Sequence, residues 1–565
     1  MISFITFAVI NLVINVSATP VGESIVNIDG VGPVKGLIQE YGDSSGDVYF
    51  QYLGIPFSHA GRFEVAQPSP PWTEVYDATV EGKVCPQPTG NIQFPFGVSE
   101  DCLVLSVTSP QDPNDHSLPL KPVVVFIYGG VFIIGTSHKE FYDPEILVGE
   151  GLVVVQPNYR LGSFGWVTDG SIIPKNIALK DVRCALEWVQ AHIHEFGGDP
   201  NQVTIYGESA GSVIVSTLWH ARQRLNNLFH AVFMQSGVVI TPWGLQKRPD
   251  LAFHNVLVKT RCICTIDQPV EDQVDCLRSL TYAELNIEDL LTLGLNDIAA
   301  AGLLSGFNAA VVMEDACDPD AIVIEDPLQQ LKNGDIRADM PLMMSITNEE
   351  VFTFAPLVDT VRTKSNAQIV PFGMDAANPN YVGGLIKGHY AGNELLWATA
   401  LDITYMEYLG DLAFNFPGRY FVELIKPHMA ANIYVLQFSY ASLMGRLNNQ
   451  INMVGHSDDL IYTWKMEFIT RESIAKIAYP KETFQKRKEF NRMLSNFVKY
   501  HNPTPNNGED IDILGDLIWP PVTDIEIFDY LNFDHKLTIQ QRLKDKNHQF
   551  WLDLYTKYGR GTISL

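Results

Sequence analysis

Basic residues are scarce in this chain: 39 Lys and Arg stand against 65 Asp and Glu in 565 residues, a formal net charge of −26. Charge of that sign repels phosphate backbones and anionic lipid surfaces, which excludes nucleic acid as a partner class. No basic run offsets it, so the acidity reads as a solvated surface rather than a site for a cationic ligand. Beyond the N-terminus no stretch reaches about 18 uninterrupted apolar residues, so stable membrane insertion is not expected. The C-terminal Tyr558-Gly559-Arg560-Gly561-Thr562 lacks the hydrophobic tail of a lipid-anchor signal. Repeats, low-complexity tracts, nucleotide-phosphate loops, metal-ligand clusters and redox motifs are all missing, so no cofactor and no metal are implied. The only N-x-S/T sequon is Asn15-Val16-Ser17, which argues against glycosylation of the mature chain.

What is present describes a packed globular protein. Hydrophobic residues make up 46% and charged residues 18%, a balance that supports a large core. Met1 to Val16 is apolar apart from Asn, Ser and Thr, and ends in Val16-Ser17-Ala18. That small-residue ending matches signal-peptide cleavage, so residues 1–18 read as a secretory signal and 19–565 as the mature, extracellular chain, although Lys and Arg are absent from the n-region. Seven cysteines (Cys85, Cys102, Cys184, Cys262, Cys264, Cys276 and Cys317) fit an oxidising compartment with a few bridges, at least one thiol being left over. No histidine lies at ligand spacing from Cys262 and Cys264, so a disulfide is the better reading there than zinc.

The order of elements points to an α/β chain. Val123 to Tyr128 is a β-branched and aromatic run that stops at Gly129-Gly130, and Leu152 to Val155 is another that stops near Pro157. Between Asp181 and Phe196, Val182, Ala185, Leu186, Val189 and Ile193 recur at helical spacing, with Gly197-Gly198-Asp199-Pro200 ending the segment. A short strand, Val203 to Tyr206, a turn, Gly207 to Gly211, and an apolar helix, Val213 to Leu218, then follow. This alternation is what a mostly parallel sheet covered by helices requires. Without a linker, 19–565 reads as one domain carrying long insertions between about Trp243 and Gln450. The apolar, poorly patterned segment from Ile287 to Met313 reads as a buried or site-covering insertion.

Gly207-Glu208-Ser209-Ala210-Gly211 is the pattern of a nucleophile elbow: two glycines remove side chains that would block the turn, and the serine is presented at a helix N-terminus. A serine hydroxyl needs a base to take its proton, normally a histidine oriented by a carboxylate, in chain order Ser, acid, His for this arrangement. His192 and His194 precede the elbow and read as capping or exposed residues.

On these residues, together with Tyr52 to Phe57, Arg62-Phe63, Ser99 to Leu103, Asn158 to Gly162, Phe196 to Pro200 and Gln235-Ser236-Gly237, the chain resembles type B carboxylesterases of the cholinesterase-like group. That family has the α/β-hydrolase fold, and the resemblance covers nearly the whole mature chain. It implies a small-molecule ester substrate, with Ser209 as nucleophile and His456 as base in Gly455-His456-Ser457-Asp458-Asp459. The acid implied is Glu350 in Thr347-Asn348-Glu349-Glu350-Val351, with Glu349 as fallback. It further implies an oxyanion hole formed by the amides of Gly130, Val131 and Ala210 in a loop that includes Gly129, and a supporting role for Glu208. Cys85 is implied to pair with Cys102, and Cys276 with Cys262 or Cys264. Arg62 with Glu100 and Arg160 with Asp181 look like structural ion pairs.

Departures from the family pattern are Val131, Val351, Lys175, Ala178 and Met453 where glycine is usual, and Val182 where glutamine is usual. Val131 keeps its amide, but a β-branched side chain restricts the backbone and crowds the acyl position, which predicts a narrowed pocket or slower turnover. A choline ester requires an aromatic cage, and the loop from Cys85 to Cys102 has no tryptophan, only Phe94 and Phe96. The juvenile-hormone esterases of the family usually carry glutamine where this chain has Glu208. The expectation is a carboxylesterase for xenobiotic, odorant or lipid-derived esters of apolar acids. The alternatives are a juvenile-hormone-type esterase and a binding protein on an esterase scaffold. Oligomeric state is not readable from these features.

Overall fold

A computed structural model describes residues 20–559 apart from 43–44, 89–93, 95, 222–224, 226, 287–308, 372–373, 375, 443–452, 467–480, 506–507 and 509–510. The expected signal segment and most of the apolar segment from Ile287 lie outside the described residues. The end of the latter, Ala309 to Val312, is fully buried.

The strands in chain order are β1 (Gly22–Ile28), β2 (Gly32–Glu40), β3 (Val48–Pro56), β4 (Ser58–His59), β5 (Gln67–Pro68), β6 (Tyr76–Asp77), β7 (Val104–Ser109), β8 (Lys121–Ile127), β9 (Val153–Pro157), β10 (Gly198–Glu208), β11 (Ala231–Gln235), β12 (Leu342–Thr347), β13 (Ile433–Phe438), β14 (Tyr530–Phe533) and β15 (Thr538–Gln540). One large sheet runs β1-β2-β3-β7-β9-β8-β10-β11-β12-β13-β14-β15, with β6 beside β2, while β4 and β5 pair separately. From β9 through β14 every neighbouring pair is parallel; the pairs along the path at both ends of the sheet are antiparallel, and β6 lies parallel to β2. The two valine-rich runs lie in β8 and β9, in register from Val123 with Val153 to Val125 with Val155. Both are wholly buried there, as strands covered on two faces must be.

The helical spacing read between Asp181 and Phe196 corresponds to α1 (Ile177–His192) and a short 3-10 turn, Ile193–Phe196. Val182, Ala185, Leu186, Val189 and Ile193 are all inaccessible to solvent. The strand expected at Val203 starts earlier, at Gly198. Pro200 falls in the register irregularity between Gly198 and Val203, where its missing N–H costs no ladder bond. After the elbow, α2 (Ala210–His220) is buried on every side and packs on β10 and β11; its apolar residues are joined by Ser212, Ser216, Thr217 and His220, each of which bonds a backbone carbonyl, as buried polar groups must.

Both expected ion pairs form: Arg160 Nε donates to Asp181 Oδ2 at 2.8 Å and Arg62 pairs with Glu100. The disulfides are Cys85–Cys102 and Cys262–Cys276, which resolves the alternative at Cys264; Cys184, Cys264 and Cys317 are free.

The fold gathers the expected site residues at one end of the sheet. The carboxyl end of β8 leads into Tyr128–Phe132, that of β10 into Ser209, that of β11 into Ser236, and that of β12 into Glu350. A crevice at the carboxyl ends of parallel strands, near the point where strand order reverses around β8, is the usual ligand position in such sheets.

Candidate active site

The elbow glycines are forced by contact. A Cβ on Gly207 would sit 2.2 Å from the Gly211 carbonyl oxygen, and one on Gly211 would sit 1.9 Å from that of Ile127. Ser209 between them takes φ 57° and ψ −123°, a conformation that side chains other than glycine rarely adopt. It is held by its amide donating to the Gln235 carbonyl at 2.8 Å and by Val213 donating back to its own carbonyl at 3.0 Å. Backbone strain of this kind persists only where the surroundings over-determine it. Here they fix Ser209 between the end of β10 and the first turn of α2.

His456 Nδ1 lies 2.7 Å from Glu350 Oε2, and the other oxygen of that carboxylate accepts from Ser236 Oγ and from the Thr347 amide, each at 2.7 Å. Acid and base are also joined through their backbones: the His456 amide donates to the Glu350 carbonyl at 2.9 Å, and that of Glu349 to Val454 at 3.1 Å. Glu349 itself turns away from His456 toward Lys544, 3.7 Å distant. The geometry therefore separates the two adjacent glutamates, and only Glu350 contacts the imidazole. Gly455 is tightly constrained, since a Cβ there would come within 2.3 Å of Thr353 Oγ1 and 2.9 Å of the Thr353 backbone nitrogen.

Three carboxyl groups surround this imidazole. Burial works against the charged form, but Glu350, Glu208 and Asp459 together outweigh it and raise the His456 pKa above the ordinary histidine value. Asp459 is pushed up to about 7, first by its own burial and then by Glu350 and Glu208. Glu208 Oε1 lies 3.5 Å from His456 Nε2.

The loop after β8 has an unusual backbone: Gly130, Val131 and Phe132 all have positive φ, at 114°, 51° and 63°. At Gly130 a Cβ would fall 2.0 Å from the Ile134 carbonyl oxygen, so glycine is obligatory; Gly129 is equally constrained, by Glu208 and Ser209. Val131 holds the left-handed region despite β-branching. The Gly130 carbonyl accepts from Ile133 and Ile134, each at 3.0 Å, and Phe132 accepts from Gly162 at 2.8 Å. Among the described residues, no backbone carbonyl accepts from the amides of Gly130, Val131 or Ala210.

Aromatic rings wall the site. Phe132 packs on Trp166 and Trp243, with centroids at 4.8 and 6.3 Å; Trp243 packs on Phe414 at 5.5 Å; Phe414 and Phe354 pack on His456 at 4.8 and 5.4 Å. Phe414 stands on a π-helical turn, Asp411–Asn415, between α3 (Asp402–Gly410) and α4 (Phe416–Ile425), a feature common at functional sites. Trp243 Nε1 donates to the Ala413 carbonyl of that turn at 3.0 Å. Sequence reasoning assigned no role to Phe414, Trp243, Ser236 and Ser457, although Ser236 lay in Gln235-Ser236-Gly237 and Ser457 in Gly455-His456-Ser457-Asp458-Asp459, two segments already singled out. A separate cavity of about 720 Å³, lined by Tyr381, Leu385, His389 and Phe550 among others, lies at the C-terminal helix and contains none of these residues. Among the described residues no group of His, Cys, Asp and Glu has the arrangement of a metal site.

A parallel sheet with a strained serine turn at the carboxyl end of a central strand defines an α/β-hydrolase. The solved structure of juvenile hormone esterase from Manduca sexta, with OTFP covalently attached, shares this fold with a TM-score of 0.79 at 24% identity, over 95% of this chain and all of that one. The family model described as Carboxylesterase family matches residues 22–551, and the chain belongs to that family of carboxylic ester hydrolases. It is 30% identical to the "Crystal protein" of Dictyostelium discoideum, over 84% of this chain and 82% of that protein. It is 28% identical to the bile salt-activated lipase of Rattus norvegicus, over 92% and 84%.

Proposed function

We propose that residues 19–565 form one secreted domain that hydrolyses small apolar carboxylic esters through an acyl-enzyme on Ser209, with His456 as base and Glu350 as its orienting acid. Ser209 Oγ attacks the ester carbonyl carbon as its proton passes to His456 Nε2. The oxyanion is held by the amides of Gly130, Val131 and Ala210. Collapse expels the alcohol, which takes the proton from His456, and a water molecule repeats the sequence to release the acid. Each oxyanion donor is worth about 3 kcal/mol in such chemistry. The observation that carries this reading is the bond between His456 Nδ1 and a Glu350 carboxylate already fixed by two donors. It sets the tautomer that leaves Nε2 to act.

The aromatic wall and the β-branched Val131 support apolar esters with a compact acyl group. Hydrolysis of p-nitrophenyl esters from acetate to octanoate, by the full chain and by Ser209→Ala, tests the reading. The expected result is Ser209-dependent activity that falls steeply with acyl length. Absence of any Ser209-dependent hydrolysis, with no labelling by an organophosphonate, overturns it in favour of a binding protein on the same scaffold.

A further inference from the structure

Ser457 follows the histidine and sits at φ 66°, a left-handed conformation that glycine adopts without steric cost and serine does not. Its hydroxyl donates to Glu208 Oε1, the same oxygen that faces His456 Nε2. The other oxygen, Oε2, rests against the oxyanion loop: a Cβ on Gly129 would be 2.4 Å from it. Ser457 and Glu208 are both nearly inaccessible, so this contact is built into the site and does not arise from a surface side chain.

The placement matters because Glu208 adjoins two centres with opposite needs. An anion packed against Gly129, at the start of that loop, opposes negative charge developing on an oxygen held there, whereas one beside His456 Nε2 favours imidazolium and, held too strongly, keeps the base protonated. We propose that Ser457 is a positioning residue for the esterase reaction. Its hydroxyl pins Glu208 Oε1 on the histidine side and occupies part of its acceptor capacity, so that Glu208 stabilises the imidazolium of the transition state without trapping His456 in that form at rest. The inference rests on the triad proposed above.

The ionisable groups around the pair are Glu350 from the turn after β12, Asp459 from the histidine's own segment, and Tyr159 and Tyr206, which face Glu208 from the β9 and β10 sides. Without the Ser457 hydroxyl, Glu208 becomes the stronger acceptor toward Nε2. Imidazolium is then favoured further, and the pH below which the base is lost moves upward.

The test compares the full chain with Ser457→Gly, Ser457→Ala, Glu208→Gln and the double variant Glu208→Gln/Ser457→Gly. Glycine suits the left-handed backbone, so Ser457→Gly is expected to fold, and Ser457→Ala separates loss of the hydroxyl from relief of strain. The acid limb of kcat/KM should rise by about half a pH unit in both single variants at Ser457, a roughly threefold loss of activity on that limb. In the Glu208→Gln background the same change should do nothing, because the effect acts through Glu208. The deshielded Nδ1 proton between His456 and Glu350, followed by proton NMR without substrate, should titrate with the same shift. That readout survives even if no ester is turned over, so failure of the esterase reading and failure of this inference remain distinguishable. An unmoved limb and an unmoved proton titration, or equal shifts with and without the Glu208 carboxylate, overturn the proposal.

Discussion

Two strained turns meet at the site, and they are built to different rules. In the elbow, both glycines are imposed by contact, since a Cβ on either would run into backbone oxygen, and the strained residue between them is the serine itself. In the loop after β8 the same holds at Gly129 and Gly130, but the next residue is a valine at φ 51°. A position can therefore demand glycine because of what a side chain would hit, or merely favour it because of the backbone angle. The first demand is absolute, and the second can be overruled at a cost of about 1–3 kcal/mol. Ser457 at φ 66° belongs with Val131 in the second class.

The sharpest way to break this distinction is Gly211→Ala. Its added methyl has no direction in which to move except into β8, so we expect destabilisation of about 3 kcal/mol, the upper end of overpacking, and loss of activity with it. Urea midpoints and residual turnover check this together; a fully stable variant would mean that the elbow backbone can adjust. Next in size is the pair of neighbouring glutamates. Glu350→Gln should lower kcat about 10,000-fold with stability changed far less. Glu349→Gln, which alters only a contact toward Lys544, should leave kcat within about tenfold. Equal losses from both would place the acid wrongly. Val131→Gly sharpens the comparison from the other side. Removing the branched side chain should relieve strain and raise the octanoate-to-acetate ratio of kcat/KM about tenfold; an unchanged ratio would mean that the side chain does not border the acyl group.

The same distinction explains what was legible in the sequence. The elbow could be read because contact-imposed glycines leave a rigid spacing around Ser209, and the buried strands because β-branched runs such as Val123 to Val125 have few other uses. Glu350 and His456 were reachable through family motifs, with Glu350 favoured over its neighbour Glu349, and the contacts of the two side chains, Glu350 on His456 and Glu349 toward Lys544, agree with that choice. Phe414 and Trp243 were not legible at all. Each is one aromatic residue among many, and Phe414 stands on a π-helical turn, Asp411–Asn415, that is tied down by long-range bonds. These include the Trp243 indole on the Ala413 carbonyl, and Tyr390 and Asn547 on the buried Asp411, at 2.9 and 2.6 Å. The strand before the elbow was read too short because Gly198 to Pro200 looks like a terminator, and pairing with β8 overrides that local preference.

The smallest effect expected is electrostatic. His456 has a raised pKa, so under the proposed mechanism its neutral form, and activity with it, should be lost as pH falls through that value. Asp459→Asn removes one of the three carboxyl groups that favour the imidazolium, so the acid limb should move down. Asp459 itself titrates near 7, raised by burial, and carries little charge at lower pH. Its contribution to the limb is therefore partial, and the shift should be only a fraction of a pH unit, smaller than that from losing Glu208. Because these groups titrate together, the limb reports the cluster rather than one residue. A pH profile of kcat/KM for Asp459→Asn against the parent chain decides the sign. A downward move places Asp459 among the charges acting on the base. An upward move would show that the buried carboxyl, in its protonated form, instead helps to hold the histidine neutral.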